Sequence, residues 1–177
     1  MNNDEKTYDP SRRNIKLGKG EGRRFKRLGD IGEELAPALL IMGGFSNLKN
    51  LNDQKINFPF ADFYAERDEI KYLISVKTRN KYEYAGKLNS RYKLGRNLYK
   101  KIDEVLDIPE YKDCIPAWMT IAVEENTFDA FWGLIRDLDG GFGISMSESA
   151  CSKYLCLAKR QQHEFDPAIF RNTYKKK

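Results

Sequence analysis

Long apolar runs are missing from this chain. No stretch approaches the roughly 18 residues needed to cross a bilayer, and the opening MNNDEKTYDPSRRNIKLGKG lacks the apolar segment of a secretory signal. The expectation is a cytoplasmic protein with no membrane partner. Cysteine and histidine are scarce as well. Cys114, Cys151 and Cys156 are odd in number and share no zinc-type spacing with the lone His163, which argues against disulfide frameworks and zinc fingers. Reduced thiols follow. Internal repeats and low-complexity segments are also absent, apart from the basic ends.

The 177 residues suit one domain with a core of ordinary size. The net charge of +5 is unevenly spread, and a local patch is what meets a polyanion. Lys6, Arg12, Arg13, Lys16, Lys19, Arg23, Arg24, Lys26 and Arg27 crowd the first 28 residues against four acids. From Lys77 to Lys101 another basic segment contains only one acid, Glu83, and is interleaved with Tyr82, Tyr84, Tyr92 and Tyr99. Phosphate backbones suit such clusters, because each neutralised phosphate releases counterions. A solvated basic surface is the plainer reading of the same composition.

Residues 1–27 read as a basic arm, and a single domain is expected over 28–177. In DIGEELAPALLIMGGF the apolar positions Ile31, Leu35, Leu39 and Met42 predict a buried helical face, with Asp30 placed to cap it and Gly43-Gly44 to stop it. Pro37 predicts a kink or a later helix start. FSNLKNLN, NFPFADFYAE and KYLISVKTR then read as strands, the last two forming a hairpin across a short charged turn. Alternation sets Leu73, Ser75, Lys77 and Arg79 on one face, and Tyr72, Ile74, Val76 and Thr78 on the other. Leu94, Leu98, Ile102 and Val105 predict a second helix from 93 to about 106. PAWMTIAVE and FDAFWGLIRDL follow as strands with Trp118 and Trp132 in the core; a DGGFG turn and a strand-like ISMS come next, and the C-terminal region has no clear assignment. The order predicts an α/β fold with a mixed central sheet flanked by helices.

Hydrolysis of a phosphodiester calls for carboxylates that hold a divalent cation and for a lysine that orients water or stabilises developing charge. Mg²⁺ needs few protein ligands, so one or two carboxylates and a backbone carbonyl are sufficient. The hairpin places Asp62 on one strand and Lys77 on the next, and the first helix can add Glu33 or Glu34. Each residue has a bland reading: a hydrogen-bonded Asp62, a solvated Lys77, an acidic first turn at Glu33 and Glu34 favoured by the helix dipole. Their joint spacing favours the site.

GDIGEELA in the opening helix, GGF after it, Asp62 on a strand and LISVKTR on the next resemble the PD-(D/E)XK nucleases, the restriction-endonuclease-like superfamily that includes archaeal Holliday-junction resolvases. The resemblance covers roughly residues 29–79. It implies a restriction-endonuclease-like core and a Mg²⁺- or Mn²⁺-dependent DNA endonuclease. The implied site comprises Glu33, Asp62, Ser75 and Lys77, with Asp62, Glu33 and the Val76 carbonyl on the metal. The phosphate contacts expected beside it are Thr78, Arg79, Lys81, Lys87, Arg91, Lys93 and Arg96.

Ser75 departs from the pattern, standing where the family places an acid. The site then works with fewer acids, or draws one from Glu34, Glu66 or Glu83, or has lost catalysis and kept nucleic-acid binding. A protein-interaction accessory factor, its basic arm meeting an acidic protein, is a reading from another class. Cutting both strands of a duplex would favour a two-fold homodimer. The tyrosines between 79 and 99 stack bases or pack on the sheet. His163, alone, speaks against an HNH-type nuclease.

Overall fold

In the computed structural model, residues 19–54, 58–83, 86–138 and 143–170 are described, with side chains from Gly22 onward. Helix α1 (Lys19–Met42) leads into β1 (Ser46–Asn50), β2 (Phe63–Arg67) and β3 (Ile70–Asn80). Then come β4 (Arg91–Lys93), α2 (Leu98–Leu106), β5 (Ile115–Glu124) and β6 (Thr127–Leu134). Strand β7 (Gly143–Ser145), α3 (Glu148–Cys151) and β8 (Leu155–Gln162) complete the named elements. Six strands make one sheet in the order β1-β2-β3-β5-β6-β8, with β4 and β7 in a separate two-stranded ribbon. Strand β3 is parallel to β5 and every other pair in the large sheet is antiparallel. This is the expected α/β architecture with a mixed central sheet. No helix among the described residues is long and apolar enough to cross a membrane.

Alternation along β3 and β5 divides the core into two layers. Tyr72, Ile74, Met119, Ile121 and Val123 pack with Leu28, Ala36, Leu39 and Leu40 of α1. Trp118 and Ala122 face the other way, toward Tyr92, Leu98, Ile102 and Ile144. Trp132 is in the first layer, so both tryptophans are core residues as expected. A smaller cluster of Leu51, Ala61, Tyr64, Leu73, Val105 and Tyr111 fills the space between the hairpin and α2.

Helix α1 begins at Lys19, upstream of the expected start near Leu28, and Leu28 is fully buried. Residues 19–27 thus belong to the helix, while residues 1–18 lie outside the described residues. Its buried row runs Leu28, Gly32, Ala36, Leu40, a four-residue spacing along one face. Met42, expected on that face, is 71% exposed because the row had already rotated past it. The helix continues through Pro37, which has no N–H to offer the Glu33 carbonyl one turn back. It ends as the glycines suggested: Gly44 adopts φ 86, its N–H reaches the Ile41 carbonyl, and the Phe45 N–H reaches the Leu40 carbonyl. That pair of bonds is a Schellman ending.

The second helix is shorter than its apolar spacing implied. Gly95 at φ 101 and Asn97 at φ 57 are incompatible with a helix, so α2 starts only at Leu98 and Lys93 lies in β4 instead. The unassigned C-terminal region supplies β8, paired with β6.

Gly32 sets how closely α1 approaches the sheet. A Cβ there would overlap Thr78 Oγ1 and stand 3.2 Å from Thr78 Cβ and 3.3 Å from Val76 Cγ1. An ordinary helical Gly→Ala change gains about 1 kcal/mol of propensity; here the overlap reverses the sign. Gly32→Ala should destabilise the protein by about 1–3 kcal/mol in chemical denaturation. Adding Thr78→Ala, which removes the overlapping hydroxyl, should restore much of that loss.

Candidate active site

Strand β2 stops at Phe63, but β3 runs on to Asn80, so its last residues have no β2 backbone beside them. Asp62 sits just before β2. Its N–H donates to the Ile74 carbonyl at 2.9 Å, while its own carbonyl turns outward to accept from Leu51 N–H at 2.9 Å. The side chain takes the next ladder position, where Oδ2 accepts from Val76 N–H at 2.7 Å. The N–H and C=O of one strand residue emerge on the same edge, so the Val76 carbonyl is directed beside this carboxylate.

Continuing the ladder from Phe63 opposite Ile74 sets Asp62 across from Ser75. Lys77 lies two residues farther along and is not directly opposite Asp62, as the hairpin had suggested. Asp62 and Lys77 nevertheless meet in one cleft of about 680 Å³, whose wall also includes Glu33, Asn52, Lys101 and Glu104. Asn52 reaches one of the acids: its Nδ2 donates to Glu33 Oε1 at 3.5 Å.

Burial governs the charges here. It raises the Asp62 carboxyl above its ordinary value, with Lys77 and the Val76 N–H pulling the other way. Lys77 is lowered by burial first, with Asp62 opposing and the Arg79 and Lys101 charges adding to the fall. Glu33 is raised by burial, then by Asp62, Asp30 and Asp53. The cleft thus holds oxygen donors of excess negative charge on one side and two lysines on the other.

Three of the four expected catalytic residues gather in the cleft, and one does not. Ser75 is 1% exposed and absent from the cleft wall, covered by packing one row deeper than Lys77. The acids suggested as its replacement are elsewhere. Glu66 bonds Asn47 and Tyr64 toward the far end of β2, Glu83 borders a different cavity, and Glu34 does not line the cleft. Glu104 of α2 faces the site instead, with Lys101 one turn before it. Nothing local in the sequence singles these two out, since both are exposed polar residues of α2. Among the described residues no group of three or more histidine, cysteine or acidic side chains is gathered as a metal cluster.

The expected phosphate contacts separate in the same way. Thr78 is 3% exposed and lies under α1 against Gly32, where it cannot reach a phosphate. Lys81 is held by Glu124 at 2.8 Å and Asp129 at 3.3 Å, a structural ion cluster away from the cleft. Lys87, Arg91, Lys93 and Arg96 are exposed, and Arg91 and Lys93 flank the buried Tyr92 on β4. Arg79 is partly buried beside α1. Of the tyrosines, Tyr92 is core, Tyr99 is 56% exposed, and Tyr84 lies outside the described residues.

A carboxyl raised on folding stabilises the fold below its unfolded value, near 3.8 for Asp62, and loses that contribution as pH rises through the folded value. Between about pH 4 and about pH 7, the thermal midpoint of the metal-free native protein should therefore fall relative to that of Asp62→Asn. Parallel midpoint curves for the two proteins would contradict the burial of this carboxylate.

No protein-family model matches the chain, and no curated protein matches it. Among solved structures it is similar to the 1.6 Å resolution structure of Archaeoglobus fulgidus Hjc, a Holliday junction resolvase from an archaeal hyperthermophile, with a TM-score of 0.49 and 16% identity over 73% of this chain and 96% of that one.

Proposed function

We propose that this chain is a divalent-metal-dependent DNA endonuclease with a restriction-endonuclease-like core. The observation that carries this reading is the Asp62 carboxylate bonded to Val76 N–H at the open edge of β3, in the same cleft as Lys77 and Glu33. Two carboxylates and a carbonyl are hard oxygen donors, a set that suits Mg²⁺ or Mn²⁺, which keeps several of its own waters. Asp62, Glu33 and the Val76 carbonyl would hold the ion. When bound, it polarises the phosphoryl oxygens and makes a coordinated water more acidic.

The chain's own groups do the rest. Val76 N–H fixes one Asp62 oxygen and leaves the other to face the cleft. Lys77, drawn toward Asp62 and shielded from water, donates to the attacking water or to the charge growing on phosphate. Lys101 supplies a second cation across the cleft. Exposed Arg91, Lys93, Arg96 and Lys87 hold the flanking backbone by charge and carry no sequence information. A two-fold dimer would bring two such clefts to the two strands of a duplex.

A second reading, nucleic-acid binding without hydrolysis, is favoured by the covered Ser75, which leaves no acid on β3 beside Lys77. Cleavage of supercoiled plasmid, single strands and a four-way junction in Mg²⁺ or Mn²⁺ separates the two. The expected outcome is metal-dependent cutting, reduced about 10²–10³-fold or more in Asp62→Ala and in Lys77→Ala. Salt-sensitive DNA binding with no cutting of any substrate would leave the binding reading standing and overturn hydrolysis.

A further inference from the structure

Part of the wall of the Asp62–Lys77 cleft carries no charge. Phe58, Pro59 and Phe60, just before Asp62 in the chain, line it together with Leu94. All four are half-buried, so apolar surface borders the same space as the two lysines and the acids.

The two rings are held from behind. Phe60 packs against both the cluster around Trp118 and the cluster around Leu73. The Phe58 ring meets Tyr111 edge-on, with centroids 5.7 Å apart. Its N–H donates to Asn52 Oδ1 at 3.3 Å, and the same amide donates through Nδ2 to Glu33 Oε1 at 3.5 Å. One side chain thus sets the aromatic segment in register with an acid of the site.

Backbone strain falls at the same place. Phe60 has φ 65, and the Ala61 N–H closes on the Pro59 carbonyl at 2.7 Å. This is a γ-turn of the rare, strained form. Such a conformation is costly for a bulky residue, persists only where the surroundings fix it, and gathers at ligand-binding segments. A glycine would make the turn without that cost, yet a phenyl ring stands there.

A single half-exposed phenylalanine is ordinary on a protein surface. Rings that share a cleft with phosphate-attracting cations are more specific. Lys77 and Lys101 suit a phosphate, and a flat apolar ring suits a base, so the wall and the cations together fit the two halves of one nucleotide. In a continuous duplex each base is stacked between its neighbours, and a base can reach Phe60 only if it has left that stack. Leaving costs least for a base with no pairing partner, which turns the contact into a choice among substrates.

We propose that Phe60, with Phe58 on the same wall, is a stacking platform for an unpaired nucleobase of the strand held at the Asp62–Lys77 cleft, and that the chain therefore selects nucleic acid with an unpaired nucleotide over continuous duplex. The platform rests on the nuclease reading of the cleft and adds the substrate feature that the cleft recognises.

The test is equilibrium binding of the full chain, without divalent metal, to three short duplexes: one fully paired, one with a single bulged nucleotide, and one with the same bulge lacking its base. The native protein should bind the bulged duplex about ten-fold more tightly than either of the others. Phe60→Leu, which keeps an apolar side chain and loses the ring, should bind all three alike. Equal native affinity for the bulge with and without its base would overturn the platform, and so would a folded Phe60→Leu that keeps the native preference. If circular dichroism finds Phe60→Leu unfolded, the native comparison with and without the base decides. Adding Mg²⁺ or Mn²⁺ tests the nuclease reading separately. Cutting with no preference for the base removes the platform alone, whereas preference for the base with no cutting removes hydrolysis and keeps the platform. Binding to none of the three duplexes would overturn both.

Discussion

The hydrogen bond from Val76 N–H to the Asp62 carboxylate determines where the hairpin ends and the site begins. At that point a side chain takes the place that backbone would occupy in a continuing ladder. Because the Asp62 side chain satisfies Val76, the Asp62 carbonyl is free to turn outward and accept from Leu51 N–H, and β3 continues with one edge uncovered. The cleft that holds Asp62 and Lys77 opens where β2 ends.

The electrostatics follow from the same geometry. Asp62 and Lys77 are each disfavoured by burial and only partly compensated by the other. Contrast Asp129, 5% exposed on β6. Burial raises it, but the Arg160 N–H at 2.8 Å, Lys81 and Lys159 more than reverse that, and its carboxyl ends below the ordinary value. One cluster is complete within the fold. The other leaves oxygen donors and a cation facing an open cleft.

The hairpin, the sheet class and the opening helix were legible because each rests on local chemistry: aromatic and β-branched alternation in residues 63–80, and paired glycines after Met42. Placing Thr78 on the phosphate side failed for a tertiary reason, since Gly32 lets α1 settle on that face of β3. Lys81 looked like one more basic residue, and only the return of β6 brought Asp129 to it. Strand β4 was hidden within an apolar spacing of helical period that Gly95 and Asn97 interrupt by backbone conformation. Lys101 and Glu104 reach the cleft only because the crossover between β3 and β5 docks α2 there. Of the site, then, Asp62, Lys77 and Glu33 could be read from the order of residues, and their partners across the cleft could not.

The parallel pairing of β3 with β5 joins Tyr72 to Ile115, residues separated by the whole crossover. Non-local parallel contacts of this kind carry a large loop-closure cost and form slowly, whereas a hairpin joined by the two-residue turn Asp68-Glu69 closes within microseconds. The carboxylate that organises the site belongs to the hairpin, fourteen residues from its backbone partner. During folding, that half of the site can therefore assemble before β3 finds β5, and the crossover that carries α2 brings Lys101 and Glu104 to a carboxylate already in place.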